Sequence, residues 1–188
     1  MAPLQLSSGV RRLHTSQLGQ MLRYIRATDI SPARSWDLVR WCHARGASEF
    51  SLREMGMVGC PDPVVEHANA LLAPFHLPEQ PRSTSVVYSG EVDRQRVKLS
   101  RLEPSSIEIA TGLLADGLFT KPTYANDGWL EDPTFYRDGA ILLGVVSHED
   151  EGFLNISTNE LADLERLGFT LYPPATHAHL YKQPSNER

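Results

Sequence analysis

The sequence predicts an α+β fold, in which a mainly helical N-terminal segment is followed by a mostly antiparallel β-sheet with helices packed on one face. Apolar residues recur at helical spacing before about residue 80, and beyond it they alternate or form short runs typical of strands. The dipeptide Asp138-Gly139, which favours a hairpin turn, separates two of those runs. We therefore expect a helical segment at 1–80 and an α+β domain at 81–188, which could also form one single domain, with a proline-rich connection at 74–85.

The composition predicts a globular cytoplasmic protein. Hydrophobic residues make up 41% of the 188 residues and charged residues 22%, which is enough to build a packed core. No stretch approaches the roughly 20 apolar residues that span a bilayer, so we expect no membrane partner. Cys42 and Cys60 are too few for a disulfide framework, and the chain shows no secretory signal, which favours the cytoplasm. Only three of the 18 basic residues are lysines, an arginine bias that favours a bacterial source.

Three helices are predicted in the N-terminal segment. The first spans 16–26, where four apolar residues at helical spacing form a face that could mediate homo-oligomer formation. These residues are Leu18, Met21, Leu22 and Ile25. The second helix follows the capping residue Ser31 and ends before Gly46, and the third follows Asp62 and Pro63.

Two strands and a helix are predicted between 84 and 117. The strands should meet at a turn near Ser89 and Gly90, because the residues after that turn alternate between apolar and polar. The helix should begin with a capping box formed by Ser105 and Glu108, and Gly117 should follow its last turn.

The strongest strand signals lie between 134 and 157. The run at 140–147 is continuously apolar, which predicts a central strand covered on both faces. The next strand, at 153–157, places Leu154 and Ile156 on one side and Phe153, Asn155 and Ser157 on the other.

One more helix is predicted after these strands. Ser157 and Glu160 have the spacing of a capping box at its start, and Gly168 should end it. Short strands could follow at 169–172 and 177–181.

The charge is unevenly distributed along the chain. Residues 1–60 carry eight arginines and four acids, whereas residues 127–165 carry ten acids and a single base, Arg137. An acidic stretch repels phosphate backbones and attracts basic partners. Nucleic acid is therefore an unfavourable partner, and a basic protein is the expected one.

Residues 148–152 combine a histidine with three consecutive acids between two predicted strands. A polar hairpin loop is the simplest interpretation, because loop backbones stay in water. The alternative is a metal site, since imidazole and carboxylate groups bind many divalent metals. Alternate residues converge in an extended segment, so His148 and Asp150 would act together, with His177 and His179 as further ligands.

A second cluster, at 123–136, mixes aromatic residues with carboxylates. A loop held against the sheet by Trp129 explains this pattern without a function. The functional alternative is a recognition surface, because aromatic side chains and charged groups anchor many interfaces. The residues predicted to bind a partner are Asp127, Trp129, Glu131, Asp132, Glu149, Asp150 and Glu151.

The chain contains no dinucleotide fingerprint, P-loop, nucleophile elbow or C-x-x-C motif, so neither a catalytic residue nor a cofactor is predicted. The leading hypothesis is a small non-enzymatic bacterial protein that binds a macromolecule through its acidic C-terminal surface. An immunity or inhibitor protein that neutralises a basic toxin or nuclease is one concrete version. The alternative is a metal-dependent hydrolase that uses His148 and Asp150 with His177 or His179.

Overall fold

A computed structural model describes residues 20–56, 62–84, 95–119 and 128–174 of the chain. These residues form four α-helices and a six-stranded antiparallel sheet, which confirms the predicted α+β class. The mainly helical N-terminal segment is not confirmed, because Met21–Arg26 and Glu49–Met55 are strands of this sheet. The strands are β1 (Met21–Arg26), β2 (Glu49–Met55), β3 (Gln80–Arg82), β4 (Gln95–Val97), β5 (Ser100–Arg101), β6 (Trp129–Arg137), β7 (Ala140–Val146) and β8 (Glu151–Ile156). The helices are α1 (Pro32–Ala44), α2 (Pro63–Leu72), α3 (Pro104–Leu113) and α4 (Thr158–Arg166). Within these ranges, no helix has the length and apolar character needed to cross a membrane.

The strands of the large sheet follow the order β1-β8-β7-β6-β2-β5, so β7 is a central strand, as its apolar sequence predicted. The hairpin between β6 and β7 turns at Asp138 and Gly139, whose φ angles of 52° and 75° are both left-handed. Aspartate and glycine tolerate this conformation better than most residues, which confirms the predicted connection. Strands from both sides of residue 80 pair within this sheet.

The helix predicted at 16–26 is wrong over its described part. Met21–Arg26 forms the edge strand β1, which pairs with β8 from Met21 opposite Ile156 to Arg26 opposite Glu151. Tyr24 also exchanges two backbone hydrogen bonds of 2.8 Å with Tyr172. These long-range pairings satisfy backbone groups on both sides of β1 and override the local helical spacing. The apolar helix face proposed for self-association therefore does not form across Met21–Arg26, and Leu18 lies outside the described residues.

The other predicted helices of the N-terminal segment are confirmed. α1 follows Ser31, whose hydroxyl accepts a hydrogen bond of 3.4 Å from the Arg34 N–H, and Gly46 lies beyond its end with a φ of 90°. α2 begins at Pro63. The turn predicted near Ser89 and Gly90 lies outside the described residues, on the segment between the paired strands β3 and β4.

Both later helices begin with capping boxes, but only one uses the predicted residues. In α4 the Ser157 hydroxyl accepts from the Glu160 N–H, while the Glu160 carboxylate accepts from the Ser157 N–H, as expected. In α3 the box is formed by Glu103 and Ser106, two residues earlier than the predicted Ser105 and Glu108. Pro104 occupies the first helical position, where its missing N–H costs nothing, and this fixes the start of the helix.

The main hydrophobic core lies between one face of the sheet and the helices. Alternate residues of β8 point into it, so Leu154 and Ile156 are fully buried while Phe153 and Asn155 are partly exposed, which confirms the predicted alternation. Core residues come from all four helices and from five strands; they include Trp36, Leu38, Val39, Cys42, Phe50, Leu72, Ile107, Ala110, Phe135, Leu143, Leu154 and Leu164. Leu52 and Leu130 also pack on this side, so their sequence neighbours Arg53 and Glu131 point to the opposite face.

Candidate acid–histidine site

A β-bulge in β6 sets the position of the candidate site. One residue of β2 separates Ser51 from Arg53, whereas two residues of β6, Asp132 and Pro133, separate their partners Glu131 and Thr134. Asp132 adopts a left-handed φ of 51°. A non-glycine residue in this conformation is uncommon, and aspartate is among the residues that tolerate it. The bulge therefore places two adjacent acids, Glu131 and Asp132, in the middle of the sheet.

Asp132 is held by the connection between β7 and β8. The Ser147 N–H donates a hydrogen bond of 2.8 Å to Asp132 Oδ1, and the Asp132 N–H donates one of 3.1 Å to Ser147 Oγ. Both residues are almost completely buried. Because the next residue is His148, this reciprocal pair fixes the histidine beside the bulge.

Glu131, Asp132 and His148 converge into a cluster that we call the acid–histidine recess. One side-chain atom of each, a carboxylate oxygen or an imidazole nitrogen, lies within 4.8 Å of the other two. His148 Nδ1 is 4.0 Å from Asp132 Oδ1, and His148 Nε2 is 3.9 Å from Glu149 Oε1. The imidazole thus lies between a buried carboxylate and an exposed one.

The two carboxylates of the recess are buried, with only 6% of Glu131 and 3% of Asp132 exposed. Arg53 compensates for this burial, because its Nη1 lies 3.2 Å from Glu131 Oε1 and 3.3 Å from Asp132 Oδ2. The Trp129 indole N–H donates a hydrogen bond of 3.1 Å to Glu131 Oε2. A buried carboxylate needs such partners, since water no longer solvates its charge.

Burial raises the pKa of the Asp132 carboxyl above its ordinary value. The neighbouring Glu131 raises it as well, whereas the Ser147 N–H, Arg53 and His148 lower it without cancelling the effect of burial. Perturbed pKa values in a buried cluster mark a candidate functional site, and structural ion pairs shift pKa values as well.

The structure separates the predicted partner-binding residues into two environments. Glu131 and Asp132 are inside the recess, and Trp129, predicted in a loop, starts β6 and is partly buried. The other three described acids are in or next to the β7–β8 connection; they are Glu149, Asp150 and Glu151. Asp127 lies outside the described residues.

The predicted metal ligands are also distributed differently from expectation. Residues 147–149 form a 3-10 turn and Asp150 has a left-handed φ of 57°, so the segment is not extended at His148. Among the described residues, Glu131 and Asp132 form the mutually close group with His148, Glu149 lies near its other ring nitrogen, and Asp150 is not in that group. His177 and His179 lie outside the described residues.

The convergence of the two acidic clusters was not predicted, although the hairpin contained a signal for it. Counting outward from the Asp138-Gly139 turn places 131–132 opposite 145–146, next to Ser147 and His148, provided that β6 extends back to those acids. Arg53 was not predicted at all, because its role depends on the pairing of β2 with β6.

The chain was compared with models of protein families, with curated proteins and with solved structures, and none of the three comparisons gives a match. Its function must therefore be inferred from the geometry of the recess.

Proposed function

We propose that the protein is a metal-dependent hydrolase whose divalent cation binds between Glu131, Asp132 and His148. The observation that carries this proposal is the convergence of two buried carboxylates and one imidazole within 4.8 Å. Oxygen and imidazole ligands together suit Mn²⁺ and Zn²⁺. Compared with the hydrolase inferred from sequence, His148 keeps its role while Glu131 and Asp132 take the place of Asp150.

The recess fits a cation after a small closure of its side chains. Ligand atoms about 2.1 Å from an ion in tetrahedral geometry lie about 3.4 Å from each other. The distance of 4.0 Å between His148 Nδ1 and Asp132 Oδ1 is slightly longer. Rotation of the His148 ring toward Asp132 would supply this change. Three protein ligands would leave coordination positions for water, and a bound divalent cation lowers the pKa of that water toward neutrality.

The burial of both carboxylates favours this function over an acidic docking surface. A side chain that is 3% or 6% exposed has little area to offer to a macromolecule. An ion or a small substrate group can reach such side chains after local rearrangement. The partial exposure of His148, 29% for its side chain, places it at the solvent side of the two acids.

Titration calorimetry with MnCl₂ and with ZnCl₂ tests the proposal on the purified protein. We expect one ion per chain, with affinity reduced at least about tenfold in His148→Ala and in Asp132→Asn, because even indirect changes around a metal cost that much. Asparagine preserves the left-handed backbone at position 132. His67→Ala, which alters an exposed histidine of α2, is the control and should bind normally. Equal affinity in all four proteins, or no binding, would refute the proposal.

A second candidate function is the capture of a basic macromolecule by the acidic turn Glu149–Glu151, as an immunity or inhibitor protein would do. The observation that favours it is the position of three consecutive acids, including the exposed Glu149, at one end of a strand connection. Such a patch accelerates association with a positively charged partner and does so most at low salt. For either function, the arginine bias and the two cysteines support a bacterial cytoplasmic protein.

The second candidate predicts a salt-sensitive association rate. A deca-arginine peptide serves as the probe, and the charge reversals Glu149→Lys and Asp150→Lys together should slow its association at low salt. Glu108→Lys and Glu165→Lys together, at exposed positions of α3 and α4, change the net charge by the same amount and are the matched control. If the control slows association of the peptide equally, the effect comes from net charge alone, which would count against a specific binding surface at Glu149–Glu151.

A further inference from the structure

We propose that Arg53 determines substrate specificity by binding an oxyanionic group, either a phosphate or a carboxylate, next to the metal. This inference rests on the proposed metal site. It assigns to Arg53 a role beyond neutralising the two acids, and it restricts the substrates of the hydrolase to small molecules with such a group close to the reacting bond.

The position of Arg53 supports this role. Its side chain is 35% exposed, whereas the Glu131 and Asp132 side chains that it contacts are 6% and 1% exposed. Arg53 therefore lies on the solvent side of the carboxylates, and β2 holds it directly opposite Glu131 in the sheet. Arg53, like His148 with its side chain 29% exposed, is therefore more accessible to a ligand from solvent than the acids are.

Metal binding changes the charge around Arg53. The same guanidinium nitrogen now contacts Glu131 Oε1 and Asp132 Oδ2, one oxygen of each carboxylate that would bind the cation. Once the carboxylates bind a divalent cation, a positive side chain remains beside a doubly positive ion. Like charges at this separation repel, and the repulsion is strong because the site is partly buried.

An oxyanion placed between the metal and Arg53 removes this repulsion. The planar guanidinium group donates parallel hydrogen bonds to two oxygens of a phosphate or carboxylate, while another oxygen can face the metal. Lysine carries the same charge but lacks the two-pronged geometry. Arg53 would thus move from being the counter-ion of the empty recess to being a ligand of the substrate.

The test measures binding of inorganic phosphate and of acetate to the Mn²⁺-loaded protein by titration calorimetry. We expect at least one of these anions to bind, only when Mn²⁺ is present, and at least tenfold more weakly in Arg53→Gln. Arg53→Lys should retain part of the affinity. Arg40→Gln, which breaks an exposed arginine–aspartate pair with Asp37, is the control and should change nothing.

Each result has a separate meaning. Mn²⁺ binding without either anion, or anion binding that is equally strong in Arg53→Gln, overturns the role of Arg53 and leaves the metal site intact. Absence of Mn²⁺ binding overturns the proposed function and this inference with it. Thermal melting checks that Arg53→Gln is folded. If it is unfolded, the anion affinity of Arg53→Lys tests the role of Arg53 instead. Full anion affinity in Arg53→Lys overturns the requirement for a guanidinium group.

Discussion

Glu160 illustrates how a single side chain can connect distant parts of this protein. Its carboxylate accepts a hydrogen bond of 2.5 Å from Arg137 Nη1 and one of 2.8 Å from the Ser157 N–H. Burial alone would raise the pKa of Glu160, but the bonds from Arg137 and Ser157 outweigh it and hold the pKa below the ordinary glutamate value. The ionised form is therefore the one that stabilises the folded state.

This shift predicts a pH-dependent loss of stability. Because the folded pKa is depressed, the contribution of Glu160 is present above the ordinary value of 4.5 and disappears as the pH falls through the folded pKa. The free energy of unfolding of Glu160→Gln should therefore differ most from that of the wild type near neutral pH, and the difference should shrink under acid. Urea unfolding between neutral pH and pH 3 measures it, with the exposed Glu165→Gln as control. A difference independent of pH would contradict the assignment.

Single residues of the recess were only partly predictable from sequence. His148, Glu131 and Asp132 were identified as candidates because their side chains carry suitable chemistry, but they were assigned to two separate clusters. Their convergence depends on a bulge at Asp132 and on the register of β6 with its neighbours, which local patterns do not encode. The residues next to Arg53 in the sequence give no sign of a functional role. Only the pairing of β2 with β6 shows that Arg53 contacts the two acids.

Turns and helix ends show where the backbone restricts the sequence. Gly112 lies in α3, and a methyl group added there would meet no atom within 4 Å. Gly117 follows the same helix with a φ of 98°, and an added Cβ would lie 2.8 Å from Pro32 Cα. A side chain therefore fits at position 112, whereas position 117, five residues later, requires glycine.

Alanine substitutions at these glycines should have opposite effects. Gly112→Ala should stabilise the protein by about 0.5–1 kcal/mol, because alanine restricts the unfolded chain and favours a helix. Gly117→Ala should destabilise it by more than about 1 kcal/mol, because the left-handed backbone and the contact with Pro32 both oppose a side chain. Urea unfolding of the two variants checks both signs, and a stabilised Gly117→Ala would show that this turn is not held as described.

Elements with strong local signals were predicted best. The caps of α1 and α4 and the Asp-Gly hairpin were correct because neighbouring residues fix each of them. β1 was mistaken for a helix because Met21, Leu22 and Ile25 have helical spacing, and its pairing with β8 joins residues about 130 positions apart. Such long-range hydrogen bonds decide between two local alternatives.

The whole molecule is organised around a sheet that mixes early and late parts of the chain. β1 and β2 come from the first 55 residues, whereas β6, β7 and β8 come from beyond residue 128, and their buried residues join one cluster. The α+β class was predictable from the change of hydrophobic period. The pairing of early strands with late strands was not predictable, because the proline-rich residues at 74–85 resemble a connection between separate domains.

This arrangement predicts a single cooperative unfolding transition. Neither the early nor the late strands can leave the sheet without exposing the shared core, so the two parts should unfold together. Tryptophan fluorescence and far-ultraviolet circular dichroism, followed in one urea titration, should give coincident midpoints. Leu154→Ala, which empties a fully buried position, should shift both curves equally, by about 2–5 kcal/mol. Two separated transitions would contradict a shared core.

The central claim is that Glu131, Asp132 and His148 hold a divalent cation. Anomalous diffraction at the manganese edge, from crystals soaked in MnCl₂, tests it most directly. We expect one strong peak about 2.2 Å from a ligand atom of each residue, with Arg53 displaced from the carboxylates. A recess without a peak, with Arg53 still bound to both acids, would contradict the claim and identify the cluster as a structural ion pair.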